Sequence, residues 1–164
     1  MIDINGITSE MRCFFNKRTR QHIDYVIAFG KKLGLDLSNH DSDKYSAELI
    51  DAYTLLTWQK NHDDIILADD AKLIVKNAVK THLKNNRHHP QAWVDVADMD
   101  DASLKEMCCD LCAMSKEFGD NPQKFFSSNL SNKYQFTLKQ KKLVSKTLDF
   151  LYPKKNQMPP RQRD

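Results

Sequence analysis

Residues 39–44 read Asn-His-Asp-Ser-Asp-Lys, and the interpretation of the whole chain depends on this stretch. His40 and Asp41 are adjacent, so neighbouring backbone positions offer one imidazole nitrogen and one carboxylate oxygen to a divalent metal. Lys44 follows three residues after Asp41 and supplies a compact positive charge that suits a phosphate group. Because a His-Asp pair occurs by chance in many chains, the metal prediction depends on further histidines and aspartates on both sides of it.

The composition predicts one helical domain. The chain has 164 residues, enough to bury a core, and its four glycines favour helices over a turn-rich β fold. We predict an all-α domain over residues 1–152 and a flexible basic tail over residues 153–164. No apolar run approaches the roughly 20 residues that cross a bilayer, and no signal peptide is recognisable, so we expect a cytoplasmic protein. The net charge of +3 is too small to indicate nucleic-acid binding.

Two predicted helices carry a histidine on their apolar face. One runs from about Thr19 to Leu33 and contains His22; the other runs from about Asp69 to Leu83 and contains His82. A buried histidine needs partners for its ring nitrogens, so each is either a core residue bonded to the backbone or a metal ligand. The apolar residues in line with them are Val26, Phe29 and Leu33 in the first helix, and Ala71, Val75 and Ala78 in the second.

Other segments are also predicted to be helical or to connect helices. Residues 1–17 are ambiguous and could form a short helix ending near Lys17. Ser46 is placed to cap a helix from Ala47 to about Asn61. A last helix spans about Thr137 to Leu151 and stops at Pro153.

A further helix carries the aspartate Asp110. The run Ser103-Leu-Lys-Glu106 resembles a capping box that opens this helix, and Gly119 ends it. Asp110 borders the inward face, and an unpaired buried carboxylate is costly, so it needs a metal, an arginine or a lysine. The predicted core positions of the helix are Leu104, Met107, Leu111, Met114 and Phe118.

Residues 85–93 form a polar loop with two histidines and an arginine beside an aromatic ring. Arg87, His88, His89 and Trp93 are either substrate-binding residues held by rigid helices or incidental surface groups. His62-Asp63-Asp64, which repeats the His-Asp pattern, falls in a polar break and is interpreted as a solvated loop.

The four cysteines, at positions 13, 108, 109 and 112, do not form a zinc ribbon. Cys109 and Cys112 have no second pair downstream, and they lie within one predicted helix. Small apolar packing is therefore the expected role of these cysteines.

The stretch His40 to Lys44 resembles the HD-x-x-K signature of the HD-domain superfamily of metal-dependent phosphohydrolases. That resemblance implies an all-α, HD-domain-like helical bundle. It also implies that a histidine on an earlier helix, the His-Asp doublet and an aspartate on a later helix hold a divalent metal. Carried over residue by residue, the ligands here are His22, His40, Asp41 and Asp110.

The chain is similar, more closely, to an uncharacterised HD-like family of phage and bacterial proteins. The similarity covers about residues 20 to 150 and rests on three boxes: residues 40–44, residues 86–93 and residues 106–110, which read Glu-Met-Cys-Cys-Asp. Asp43 stands where that family has serine, and Leu111 stands where tryptophan is common. Neither difference removes a predicted ligand.

The resemblance implies hydrolysis of a small phosphorylated substrate, with a nucleoside mono- or triphosphate expected by analogy. The ion is expected to be Mn²⁺, Co²⁺, Fe²⁺, Ni²⁺ or Zn²⁺, at one or two per chain. His82 could join the ligand set, with His88 or His89 at a second metal. Alternatively, His88 and His89 bind substrate with Lys44, Arg87 and Trp93.

The catalytic base is left open by the sequence. Lys44 is a candidate catalytic residue, and Asp43 and Glu48 are alternative bases, although Glu48 could instead stabilise the dipole of its helix. Two other functions are compatible with these residues: a di-iron HD-fold oxygenase, and a non-catalytic, metal-stabilised module that binds a nucleotide or a protein. A homo-oligomer is expected by analogy with HD enzymes.

Overall fold

A computed structural model describes residues 1–153, and the secondary-structure elements of these residues are all helices. These residues contain no β-strand; one isolated bridge pairs Ile2 with Leu67. The all-α prediction is therefore confirmed. The flexible tail is predicted over residues 153–164, and all of it except Pro153 lies outside the described residues. The helices are α1 (Ser9–Lys32), α2 (Ile50–Asn61), α3 (Asp69–Asn85), α4 (Asp101–Phe118), α5 (Pro122–Phe125), α6 (Ser131–Lys133) and α7 (Leu138–Leu151).

Shorter turns of 3-10 and π helix connect these elements. The 3-10 segment that contains the Ser42-Asp43-Lys44 run leads toward α2, and a π-helical turn separates α5 from α6. None of the helices in residues 1–153 is both long enough and apolar enough to cross a bilayer. The 3-10 segments are Ile4–Gly6, Ser42–Tyr45, Pro90–Ala92 and Val96–Asp98, and the π turn is Phe126–Leu130.

The chain divides into two compact units, each with its own apolar core. Unit 1 consists of Met1–Gln21 and Asp41–Asn86, and unit 2 consists of residues 22–40 and the described chain from residue 87 onward. The prediction of one domain over residues 1–152 stays a prediction. Unit 1 packs α2 against α3 around Met11, Phe15, Leu49, Leu55 and Leu67, and unit 2 packs α4 against α7 around Val26, Leu104, Cys108, Val144 and Leu148.

Helix α1 is longer than predicted. It begins at Ser9 rather than near Thr19, so the expectation of a separate short helix ending near Lys17 is wrong. Thr19 is buried within α1, and Phe15, one turn earlier, is buried in the core of unit 1. Gly34 follows the helix with a φ of 69°, which suits a glycine beyond a helix end.

Two of the helix caps predicted from the sequence, those of α2 and α4, are wrong. Ser46 does not cap α2: its N–H donates to the carbonyl of Asp43 at the end of the 3-10 segment, and α2 begins four residues later. The predicted Ser103–Glu106 capping box is also absent, because α4 begins earlier and Asp100 accepts the Ser103 N–H at 2.7 Å. This leaves the Glu106 side chain available for contacts away from the helix end.

The predicted core stripe of α4 is correct only in its first half. Leu104, Met107 and Leu111 are buried, but Met114 and Phe118 are 42% and 49% exposed. Three buried cysteines, Cys108, Cys109 and Cys112, widen the apolar face instead, which supports their packing role.

The predictions for α3 and α7 are confirmed. Helix α3 buries the four predicted positions and extends two residues beyond Leu83. Helix α7 begins after Thr137, whose side chain and that of Gln140 form a capping box.

Candidate metal centre

Helix α4 presents three carboxylates to the histidines of unit 2. Glu106, Asp110 and Glu117 are spaced by four and seven residues, so they fall on the same side of the helix. All three contact imidazole rings, and we call these carboxylates with His22, His40 and His88 the α4 cluster.

His22 lies between two of these carboxylates. Its Nε2 is 3.1 Å from Oδ1 of Asp110, and its Nδ1 is 3.1 Å from Oε1 of Glu117. The ring is largely buried, with 10% of its side chain exposed. The alternative role of a core histidine bonded to backbone therefore does not describe His22, because both ring nitrogens face acidic side chains.

The other two histidines share one carboxylate oxygen. Oε1 of Glu106 lies 2.8 Å from Nδ1 of His40 and 3.2 Å from Nδ1 of His88. The two imidazole rings also pack together, with centroids 4.4 Å apart. Glu106 therefore links His40, in the segment after α1, to His88, in the loop that follows α3.

Two carboxylates of the α4 cluster, Asp110 and Glu106, are ionised at neutral pH. Burial alone would raise the pKa of Asp110, but the hydrogen bond from His22 and the nearby His40 and His88 hold that pKa well below its usual range. Glu106 shows the same balance: burial opposes ionisation, while His40 and His88 lower its pKa to about 2. Two anionic carboxylates among three imidazoles make a site suited to a cation.

Two overlapping groups of this cluster could hold a metal ion. His22, His40 and Asp110 have ligand atoms within 4.8 Å of one another, and so do His40, His88 and Glu106. These donors are imidazole nitrogen and carboxylate oxygen, which suit first-row transition metals. The neighbouring thiol of Cys109 is a poor competitor, since burial raises its pKa to about 12 and the negative charges of Glu106 and Asp110 add to the effect.

Unit 1 contains a second polar cluster around His82. Its Nδ1 is 2.9 Å from Oδ2 of Asp43, and its Nε2 is 3.3 Å from Oδ1 of Asp41. The side chain of Asn86 donates to Asp43 at 2.8 Å, and Nζ of Lys44 lies 2.5 Å from Oδ2 of Asp41. We call these five residues the His82 cluster. Asp41 and His82 are placed together, but their predicted roles as metal ligands stay predictions.

Asp41 has an unusual backbone conformation. Its φ is 56°, the only positive value among non-glycine residues of the described chain, and its side chain is 2% exposed. Aspartate tolerates the left-handed region better than most residues, but the conformation is still costly. The contacts from Lys44 and His82 offset part of that cost.

The residues of unit 2 that were predicted to bind substrate differ in their exposure to solvent and in their contacts. Arg87 is exposed, stacks over Trp93 at 4.2 Å and pairs with Asp100 at 2.7 Å. His88 is buried in the α4 cluster, and His89 is half-buried with its ring 4.0 Å from that of His88.

The remaining candidates in unit 1 fall outside the His82 cluster. Glu48 is exposed ahead of α2, and no described contact supports its predicted catalytic role. His62, interpreted as part of a solvated loop, is half-buried and stacks on Trp58 at 3.7 Å.

Two site residues were not predicted as ligands or partners. The capping pattern assigns Glu106 to the start of the helix, and no motif quoted above includes Glu117. The available signal was their spacing of four and seven residues from Asp110 on one helix.

The comparisons with known proteins identify a family for the chain. The model of a family described as "Family of unknown function (DUF5662)" matches residues 11–156, which include every residue of the α4 and His82 clusters. No curated protein and no solved structure matches the chain. Because the match covers most of its length, the chain belongs to the DUF5662 family, whose function is unknown.

Proposed function

We propose that this protein is a metal-dependent phosphohydrolase acting on a nucleotide. The observation that carries the metal part is the group formed by His22, His40 and Asp110 in the α4 cluster. The phosphate part is supported by the resemblance of residues 40–44 to the HD-x-x-K signature, and the nucleotide class comes from that resemblance by analogy.

The geometry of the donors fits a transition metal. Ligand atoms about 2.0–2.2 Å from an ion, at angles between octahedral and tetrahedral, are separated by about 2.9–3.4 Å. Nε2 of His22 and Oδ1 of Asp110 are 3.1 Å apart, which is one such edge. His40 supplies a third donor, since one ligand atom from each of His22, His40 and Asp110 lies within 4.8 Å of the others.

A divalent ion bound there would acidify a water molecule and offset negative charge on a phosphoryl group. Other side chains of the protein would keep the imidazole rings around this ion in a fixed orientation. Glu106 is ionised, so it accepts hydrogen bonds from His40 and His88 and fixes the orientation of both rings. His88, held in this way, is the residue that we assign to protonating the leaving oxygen.

Lys44 is in contact with an acidic side chain of the protein. Its ammonium group lies 2.5 Å from the carboxylate of Asp41, and 19% of its side chain is exposed. It therefore neutralises a buried acid in the protein without bound phosphate, and a phosphate would have to share that charge. This contact makes Lys44 a stabilising residue for Asp41 as well as a candidate phosphate ligand.

The first experiment measures the metal content of protein purified without chelator, by elemental mass spectrometry. We expect at least one transition metal per chain, and we expect Asp110→Asn to lose it while far-UV circular dichroism shows retained helices. The matched control is Asp120→Asn, which removes an exposed carboxylate just after α4. If Asp110→Asn keeps the full metal content after Mn²⁺ loading, the assigned centre is wrong.

The second experiment tests the reaction itself. Metal-loaded wild-type protein is incubated with a panel of nucleoside mono- and triphosphates, and release of phosphate or polyphosphate is measured. Turnover that disappears in His88→Gln but persists in His62→Gln would support the assignment. A fully loaded protein that releases no phosphate or polyphosphate from the panel would contradict the proposed activity.

A further inference from the structure

We infer that Glu117 is a positioning residue for the metal centre: it holds the His22 ring so that Nε2 faces Asp110. This inference rests on the proposed metal site. It concerns a carboxylate at the far end of α4, seven residues beyond Asp110, which the HD-like motifs quoted above do not include.

The contact has the geometry required for this role. When Nε2 of a neutral histidine binds a metal, the proton must be on Nδ1, and an acceptor at Nδ1 selects that tautomer. Oε1 of Glu117 lies 3.1 Å from Nδ1 of His22, while Nε2 lies 3.1 Å from Asp110. Histidines that bind metals commonly have such a carboxylate at the second nitrogen.

The position of Glu117 is unfavourable for the stability of α4. It lies in the last turn, where the helix dipole disfavours negative charge, and only 7% of its side chain is exposed. Burial of a carboxylate is costly unless it is paired. The contact with His22 gives a reason for a buried carboxylate to occupy this unfavourable end of the helix.

The positioning role and a purely structural role predict different results. If Glu117 serves the fold, its replacement lowers the free energy of unfolding, and metal affinity falls only as the fold is lost. If Glu117 positions His22, the metal-free protein keeps or gains stability, while metal affinity falls. Glu117→Gln retains the size and an accepting oxygen but removes the charge, and Glu117→Leu removes the acceptor.

The experiment measures zinc affinity by competition with a chromophoric chelator, with thermal unfolding of the metal-free proteins alongside. We expect graded losses, up to about tenfold in Glu117→Gln and about 10- to 100-fold in Glu117→Leu. Asp149→Asn is the matched control, because it removes a carboxylate from the last turn of α7 whose described partner is Gln123. Its zinc affinity should equal that of the wild type.

A second measurement reads the His22 ring directly. The ¹⁵N shifts of His22 in zinc-loaded protein should show a protonated Nδ1 and a ligated Nε2, and Glu117→Leu should lose this single state. Unchanged zinc affinity in both Glu117 variants would overturn the inference while leaving the metal site intact. Failure of the wild-type protein to bind zinc or Mn²⁺ would overturn the proposed site and this inference together.

Discussion

The carboxylate of Glu106 lies 2.8 Å from Nδ1 of His40. Burial opposes the ionisation of Glu106, but the hydrogen bonds and charges of His40 and His88 lower its pKa to about 2, so the group is an anion at neutral pH and can only accept hydrogen bonds. Nδ1 of His40 must therefore carry a proton. In the proposed metal centre its other nitrogen, Nε2, would be the ligand, which favours the group with His22 and Asp110 over a bond from Glu106 to the ion.

Replacing Glu106 by glutamine should weaken both the fold and metal binding. Glu106→Gln keeps one accepting oxygen but loses the charge that pairs with His40 and His88, so we expect a loss of about 1–3 kcal/mol in the free energy of unfolding of metal-free protein. Urea unfolding at neutral pH measures this. Equal stability of Glu106→Gln and wild type would show that the two short contacts contribute nothing to folding.

The sequence predicted the parts of the site that depend on local periodicity. Helical periodicity predicts that His22 and His82 face inward, because they end apolar stripes on α1 and α3, and both are buried. The same periodicity predicts that Asp110 borders an inward face. These predictions succeed because helical spacing alone decides which side of a helix a residue occupies.

The partners of those residues could not be read from spacing. Glu106 is 66 residues from His40, and Glu117 is 95 residues from His22, so only the tertiary fold brings them together. The cap errors have a local cause. Asp100 competes with Ser103 for the start of α4, and the 3-10 segment ending at Tyr45 takes the N–H of Ser46.

Asp43 is expected to stabilise unit 1 rather than to act as a general base. Burial alone would raise its pKa, but the hydrogen bond and charge of His82 and the amide of Asn86 lower it. We expect Asp43→Asn to destabilise the protein by about 1–2 kcal/mol, as measured by urea unfolding. Turnover at a temperature where the variant is folded should fall by less than about tenfold. A loss of 100-fold or more with unchanged stability would restore the catalytic assignment.

The cap of α4 should contribute a pH-dependent stability. The N–H of Ser103 and the guanidinium of Arg87 lower the pKa of Asp100. A carboxylate whose pKa is lowered by folding stabilises the protein at pH values above its ordinary pKa, which is 3.8 for Asp100. This contribution is lost as the pH falls from 3.8 through the lowered pKa. Asp100→Ala should therefore cost about 1 kcal/mol at neutral pH, with a smaller difference near pH 3.

Asp100→Asn separates the cap from the charge, because asparagine also caps helices well but carries no charge. It should keep the cap but lose the contribution of the charge, so its stability should lie between those of wild type and Asp100→Ala at neutral pH and should not share the acid dependence. Thermal unfolding from pH 3 to 7 measures all three proteins. A stability difference between wild type and Asp100→Ala that does not change across this range would contradict the assigned ion pair and cap.

Gln140 should be the most sensitive polar residue of α7. Its buried amide nitrogen donates to the carbonyls of Val96 at 2.8 Å and Met99 at 3.0 Å, which tie the turn before α4 to the core of unit 2. Gln140→Leu keeps a similar volume but removes the amide donor from both carbonyls, so we expect a loss of about 2–4 kcal/mol in the free energy of unfolding measured in urea. Gln123→Leu, at a half-buried position, is the control and should cost less. If Gln140→Leu were as stable as wild type, the turn would be held by its apolar contacts alone, and the start of α4 would not depend on this amide.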